Sequence, residues 1–385
     1  MPKPSLMEMA TVCLGLGATA YGGWGILAFI KKEMVERRAW VSIEAFQEGI
    51  ALAQALPGPA VVNTVAFVGY RLHGVSGAAI AASAFVFPSM AIMMLLSAAY
   101  FRYGDIIWVQ RLFHGLGALV VAILGHACVS LARITVRGWP GILIAGISLA
   151  AILWRINFLM ILAVSAGLGA ILYRGQERTG QAPTNIAPGR SGIGRAALAG
   201  VGLAILLTAG VAMANASLAR LDLALMKISL LAFGGGYTAI ALMQQEVVER
   251  LAWGPTREFI DGIALGQITP GPIFITATFL GYKLAGILGA LAATASAFLP
   301  SFTLLVCLIP SYSRITARPV IRRMLYGILA AFMGILLSVF ARFAREALVD
   351  PGTWALMGAG WMALWRKVDM LWVIGVGVLV SLLLF

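Results

Sequence analysis

A chain of 385 residues that is 61% hydrophobic and only 11% charged has too little polar surface to cover a soluble fold. Its mean hydropathy of +0.94 and its recurrent apolar runs of about 17 to 25 residues place it in a lipid bilayer, and the absence of β-barrel alternation leaves helices as the spanning elements. The net charge of +13 is scattered singly and in pairs between those runs, as in loops that follow the positive-inside rule, so it does not indicate a nucleic-acid partner.

The first apolar segment runs from about Thr11 to Ile30. It follows Glu8 and lacks a small-residue cleavage site, so it reads as a retained span. Further spans fall near 46–70, 76–100, 112–132, 139–154 and 157–173, completing an N-terminal membrane repeat over 1–175. A basic polar linker, 176–195, and one unmatched apolar run, 196–217, come next. The C-terminal repeat, 218–385, offers spans near 222–243, 259–282, 288–310, 324–343, 352–365 and 369–384.

The two halves say the same thing. Glu33, Glu36, Arg37, Trp40, Gln54 and Pro57-Gly58-Pro59 recur 213 positions later as Glu246, Glu249, Arg250, Trp253, Gln267 and Pro270-Gly271-Pro272. At an offset of 212, Arg71 pairs with Lys283, Gly74 with Gly286, Pro88 with Pro300 and Arg111 with Arg323. Such duplication in an apolar chain is the signature of a secondary transporter whose repeats build one site near the bilayer midplane. The expected fold is therefore an all-α polytopic membrane protein. Two repeats of about six spans and one linking span make the second repeat inverted relative to the first. The first copy of the repeated loop is basic (Lys31, Lys32, Arg37, Arg38) and the second acidic (Glu246, Glu249, Glu258, Asp261), as copies on opposite faces would diverge. The Lys and Arg balance puts the N-terminus in the cytoplasm.

Two prolines flanking a glycine inside an apolar run should break the helix or make it re-enter. Backbone of that kind at membrane depth is tolerated where it is buried in protein or lines a wet cavity. The helix restarting after each break presents unpaired N–H groups and the positive end of its dipole, which bind anions. Gln54, Pro57, Gly58, Pro59 and Asn63, with Gln267, Pro270, Gly271, Pro272 and Thr276, are accordingly the candidate substrate-binding residues. Glycine runs at Gly22-Gly23 and Gly234-Gly235-Gly236 permit close approach of a neighbouring helix or a ligand. Gly22, Gly23, Gly235 and Gly236 join Glu33, Glu246, Arg71 and Lys283 as candidates for gating or coupling. Each of the two glutamates could reach back to the cavity mouth, and the two cations could supply a positive vestibule.

No nucleotide loop, HExxH or nucleophile elbow is present, so no cofactor and no enzymatic activity are expected. Cys13, Cys128 and Cys307 lie in apolar segments without CxxC spacing and read as core residues, so no metal is expected. His126, within a span, is the one histidine considered for proton relay.

Gly-Gly followed by Glu-x-Val-x-Glu-Arg-x-x-Trp, Gln-x-x-Pro-Gly-Pro and Gly-Tyr-Arg or Gly-Tyr-Lys, in two copies around an odd span, resembles the chromate ion transporter family in its long two-domain form. The resemblance is strongest over 14–100 and 226–310. The departures are Tyr21-Gly22-Gly23-Trp24, where the family more often has Phe-Gly-Gly, and Tyr237, where many relatives carry His. The resemblance implies export of chromate, a small inorganic oxyanion, across the inner (cytoplasmic) membrane without ATP, with the two Gln-x-x-Pro-Gly-Pro motifs in the functional core. The alternatives left open are a carrier or channel for another small anion such as sulfate or a carboxylate and, more remotely, a membrane-embedded enzyme. The expected partners are the oxyanion and the lipid bilayer, with homodimerisation left open.

Overall fold

The computed structural model describes residues 3–21, 25–174, 199–200, 202–204, 206, 209–211, 213, 215–309 and 318–385. The polar linker 176–195, Gly22, Gly23 and most of the unmatched run 196–217 lie outside the described residues. Among the described residues every regular element is helical. The first half contains α1 (Leu6–Thr19), α2 (Gly25–Lys31, continued by a π-helical turn, Lys32–Arg37), α3 (Ile43–Ala55), α4 (Ala60–Tyr103), α5 (Ile107–Thr135), α6 (Gly138–Leu153) and α7 (Phe158–Leu172). The second half repeats the order: α8 (Ala216–Ser229), α9 (Gly236–Met243, continued by the π turn Gln244–Arg250), α10 (Thr256–Ile268), a 3-10 turn (Ile273–Ile275) leading into α11 (Thr276–Leu308), α12 (Pro319–Ala347), α13 (Pro351–Trp365) and α14 (Met370–Leu384).

The duplication extends to backbone detail. The non-glycine residues with positive φ come in two matched pairs, Ala39 with Ala252 and Arg155 with Lys367. The helix starts are fixed by matched short polar side chains: Asn157 accepts from Leu159 N and its counterpart Asp369 from Leu371 N. Each cap satisfies one of the N–H groups that a helix start leaves open.

Several expected spans fold differently. The expected span 11–30 ends as a helix at Thr19, with Ala20 extended, and the chain resumes as α2 at Gly25. Its counterpart, 222–243, is likewise divided between Ser229 and Gly236 around Gly234 and Gly235, both at positive φ. Glu8 pairs with Arg38 at 3.1 Å, and Lys227 with Glu246 at 2.9 Å, so the two legs of each pair lie side by side as a hairpin. The expected spans 46–70 and 76–100 become α3 and an apparently continuous α4, which is not straight. His73 and Gly74 leave helical geometry, with φ +65° at Gly74. A Cβ on Gly69 would collide with Gly77 O, although eight residues of straight helix separate ends by about 12 Å. The same reversal occurs at Gly286, and there Thr278 Oγ1 lies 2.7 Å from Thr294 Oγ1, which about 24 Å of straight helix would keep apart.

The first leg of α4 also packs back on α3. A Cβ on Gly49 would press on the Phe67 ring, and in the second half Lys283 reaches Glu258 at 2.6 Å and Trp253 Nε1 donates to Leu280 O at 3.0 Å. Pro57-Gly58-Pro59 and Pro270-Gly271-Pro272 are therefore the tips of helical hairpins. The long, apolar second legs of α4 and α11 follow.

Among the described residues only four helices are long and apolar enough to cross a membrane: α4, α5, α11 with its 3-10 turn, and α12. The expected separate spans 139–154 and 157–173 are α6 and α7, of 16 and 15 residues, about 24 Å each against roughly 30 Å of hydrocarbon. They pack on α12 of the other half, while α13 and α14 pack on α5. Small residues allow this intertwining: Gly327 faces Ser165 O and Gly169, and Gly115 faces Ser381.

The tight contacts at the hairpins make a prediction. Gly77→Val and Gly289→Val would drive a branched side chain into the backbone of the opposing leg, at Gly69 O and Gly281 O. We expect loss of most folded protein, measured as the monodisperse fraction after detergent extraction, whereas Gly146→Val, which meets open space, should leave it unchanged.

Candidate functional site: a cleft at four helix starts

Each Pro-Gly-Pro tip inserts into the other half of the molecule. Gly58 N donates to Ala232 O at 2.9 Å, just beyond the end of α8, and Gly271 N donates to Ala20 O at 2.8 Å, just beyond the end of α1. Both glycines have a φ near +100°, +105° at Gly58 and +103° at Gly271, a conformation that L side chains rarely adopt. A Cβ on Gly58 would strike Ser301, and a Cβ on Gly271 would strike Ser89 Oγ. Ser301 N in turn donates to Ser229 Oγ at 3.2 Å, so the bed beneath Gly58 joins α8 to α11.

Between the tips lies a cleft whose empty space, open solvent at its mouth included, is about 580 Å³. Its walls are the beginnings of helices. Pro59, Ala60 and Val61 start α4; Gly235 and Gly236 start α9; Pro272 and Ile273 start the 3-10 turn leading into α11; and Ile26 belongs to the first turn of α2. Leu131 of α5 closes one side, and among the described residues no lysine, arginine, aspartate or glutamate lines it. A helix start leaves its first N–H groups without intrahelical acceptors and carries about half a positive charge. Four such starts at one cleft give a positive potential supplied by backbone, in surroundings of low polarity where it is weakly screened.

Of the candidate residues, Pro59, Gly235, Gly236, Gly271 and Pro272 line this cleft. Pro57, Gly58 and Pro270 complete the tips that form it. Asn63 is buried with its amide 3.4 Å from Pro57 O, and Thr276 donates to Ile273 O at 3.0 Å. Both hold the restart of their helix from behind. Gln267 is buried and its Nε2 has no hydrogen-bond partner, whereas Gln54 is exposed. The charged candidates lie away from the cleft. Glu33 pairs with Arg38 at 2.7 Å and Arg37 at 3.3 Å; Glu246, buried, pairs with Lys227 and Arg250. Lys283 is held by Glu258 and stacks over Trp253, 4.3 Å from the ring centroid, and Arg71 is exposed.

Sequence reasoning missed two groups. Ser89 and Ser301 follow Pro88 and Pro300, which the repeat already paired, so the same offset would have found them. A polar chain between the halves is the other: Tyr100 donates to Asp261 at 2.8 Å, Arg257 lies 3.3 Å from His114 Nδ1, and His114 Nε2 lies 2.6 Å from Asp350. Its partners lie far apart in the chain and carry no common motif, although Asp261 has an acidic counterpart in Glu48.

A family model described as chromate transporter matches residues 7–170 and, again, 219–382. An uncharacterized transporter of Methanocaldococcus jannaschii is 31% identical over 374 residues, covering 97% of this chain and 92% of that protein. A probable chromate transport protein of Synechococcus elongatus is 29% identical over 367 residues, 95% of this chain and 91% of the relative. The chromate transport protein of Cupriavidus metallidurans is 26% identical over 379 residues, 95% and 89%. No solved structure matches this chain. With both halves matched by the family and apolar helices long enough to cross a bilayer, the chain is a multi-pass membrane protein that belongs to the chromate transporter family.

Proposed function

We propose that this protein is a secondary transporter that exports chromate from the cytoplasm across the inner membrane, with the cleft between the two Pro-Gly-Pro tips as its anion site. The observation that carries this reading is the convergence of four helix starts on a cleft that, among the described residues, has no charged side chain. A tetrahedral dianion offers acceptors in several directions at once, and backbone N–H groups donate to it without the fixed counter-charge that would hold it too tightly to release. The substrate identity comes from the names of the relatives.

In this reading the halves are inverted repeats and the tips re-enter the membrane. Two contacts support the inversion. Tyr100, near the end of α4, meets Asp261, near the start of α10, and Phe101 stacks on Tyr282, next to the reversal at Gly286. The far end of the first repeat thus lies beside the base of the second. Gln267 completes the tip of its hairpin, while Glu33 and Glu246 order the glycine-rich hairpins through their ion pairs. An inside-negative potential is worth about 2.3 kcal/mol per charge per 100 mV, hence roughly 4.6 kcal/mol for an outgoing dianion. That suffices for efflux without a nucleotide.

The test is uptake of labelled chromate by inside-out vesicles under an imposed potential. Saturable uptake that follows the potential and is competed by sulfate supports the reading. Uptake that rises linearly with concentration would instead make the protein a channel. Cysteines introduced near Arg38 and near Arg250 should label from opposite sides of the membrane, and labelling from one side contradicts the inversion.

A further inference from the structure

We propose that Asp222 on α8 is a proton-binding site that couples proton movement to the movement of the anion, a proposal that rests on the transport reading above. Asp222 is fully buried, and neither carboxylate oxygen has a hydrogen-bond partner. The Ser296 hydroxyl of α11, also buried, is its polar neighbour across the α8–α11 contact.

Among the described residues, the charges on the elements packed against α8 are committed elsewhere. On α8 itself Arg220 is exposed and Lys227 is paired with Glu246. On α11 Lys283 is bound to Glu258, and the leg after Gly286 carries no charged residue. On the π turn after α9, Glu246 is held by Lys227 and Arg250, and Glu249 by Arg342; α9 contributes only Tyr237 as a titratable group. A carboxylate buried away from any paired cation, with one serine hydroxyl as its polar neighbour, keeps its charge only at high cost, so in this conformation the group carries a proton.

The repeat supplies an internal control. At the offset of 212 that pairs Ala20 with Ala232 beneath the two tips, the positions equivalent to Asp222 and Ser296 in the first half are Ala10 and Ala84. This packing position therefore accepts an apolar side chain, and the acid in the second half is not needed to fill space.

Position supplies the coupling. Asp222 lies two turns along α8 from Ser229, and Ser296 five residues before Ser301 on α11. Ser229 and Ser301 form the bed under Gly58, whose hairpin leads into the cleft wall at Pro59, Ala60 and Val61. Protonated, Asp222 lets α8 and α11 close and holds the tip in place. When the two helices part and water enters, the proton leaves to that side and the tip is freed. The only chemical change is transfer of one proton between Asp222 Oδ and water.

Two measurements on the reconstituted full chain test this. The infrared difference between wild type and Asp222→Asn at neutral pH should contain a protonated-carboxyl C=O band assigned to Asp222. In proteoliposomes clamped at zero potential with valinomycin and potassium, a pH gradient should drive chromate uptake by the wild type. Asp222→Asn and Asp222→Ala should lose that response by roughly tenfold or more while keeping chromate counterflow. The alanine variant reproduces the first repeat and guards against misfolding. Absence of the band overturns the proposal, as does an unchanged pH-gradient response in both variants or a response to sodium in place of protons. If the wild type carries no chromate, the transport reading falls, and the band, which needs no substrate, still decides whether Asp222 holds the proton.

Discussion

Gly58→Ala and Gly271→Ala are each expected to abolish chromate transport while the protein remains in the membrane. Both glycines sit at a φ near +100°, where a Cβ carries a penalty of about 1–3 kcal/mol. The added methyl also has no room: at Gly58 it meets Ser301, with Oγ at 2.6 Å, and at Gly271 it meets Ser89. Overpacking of this kind costs about 1–3 kcal/mol more. A total near 3 kcal/mol lowers the population of the docked tip by roughly one-hundredfold. The tips are small parts of a large apolar core, so insertion and overall folding should survive. The check is vesicle uptake normalised to membrane-inserted protein. Gly235→Ala separates the two causes, since it shares the positive φ but its Cβ would meet nothing within 4 Å, and it should be the milder change. Wild-type rates in both Gly58→Ala and Gly271→Ala would mean that the tips need not dock for transport.

The second large effect concerns the sign of the field in the cleft. Val61, in the first turn of α4, lines the cleft and is only partly buried, so a longer side chain can enter the open space. Val61→Glu would place a carboxylate beside the bound anion. At roughly 5 Å and an effective dielectric constant near 20, each charge on the dianion is opposed by about 3 kcal/mol. Loss of binding by a hundredfold or more is expected, whereas Val61→Gln, of the same shape without the charge, should stay within about tenfold of wild type. Titration of purified protein with chromate measures both. Equal affinities for the two variants would remove the anion from this cleft.

How much of this was legible in the sequence follows from what each signal depends on. The duplication, the Pro-Gly-Pro motifs and the glycine runs are local patterns, and they led to the cleft walls at Pro59, Gly235, Gly236, Gly271 and Pro272. The reversals at Gly74 and Gly286 escaped because both legs of each hairpin are apolar. A single glycine inside such a run costs little in hydropathy, and the residues around it read as the end of one span and the start of the next. The division of the first span at Ala20 was hidden in the same way. The exchange of tips between the halves depends on which carbonyls, Ala232 O and Ala20 O, lie opposite Gly58 N and Gly271 N, and no periodicity encodes that. Glu33 and Glu246 were placed near the cleft by counting residues from the glycine pairs, which treats the segment as free. Their ion pairs with Arg37, Arg38, Lys227 and Arg250 hold them along the hairpin legs instead. Asp222 was passed over for an opposite reason. Having no counterpart in the first repeat, it was invisible to a reading built on what the two halves share.

In the mechanism proposed above, backbone at the helix starts, not a cluster of basic side chains, binds the anion. Chromium scatters anomalously, so a crystal of the protein grown with chromate locates the ion directly. One anomalous peak is expected between Val61, Gly236 and Ile273, within hydrogen-bond distance of main-chain N–H groups. A peak confined to the basic segment between Arg314 and Arg323, or at any site held by lysine and arginine side chains away from the Pro-Gly-Pro tips, would contradict it.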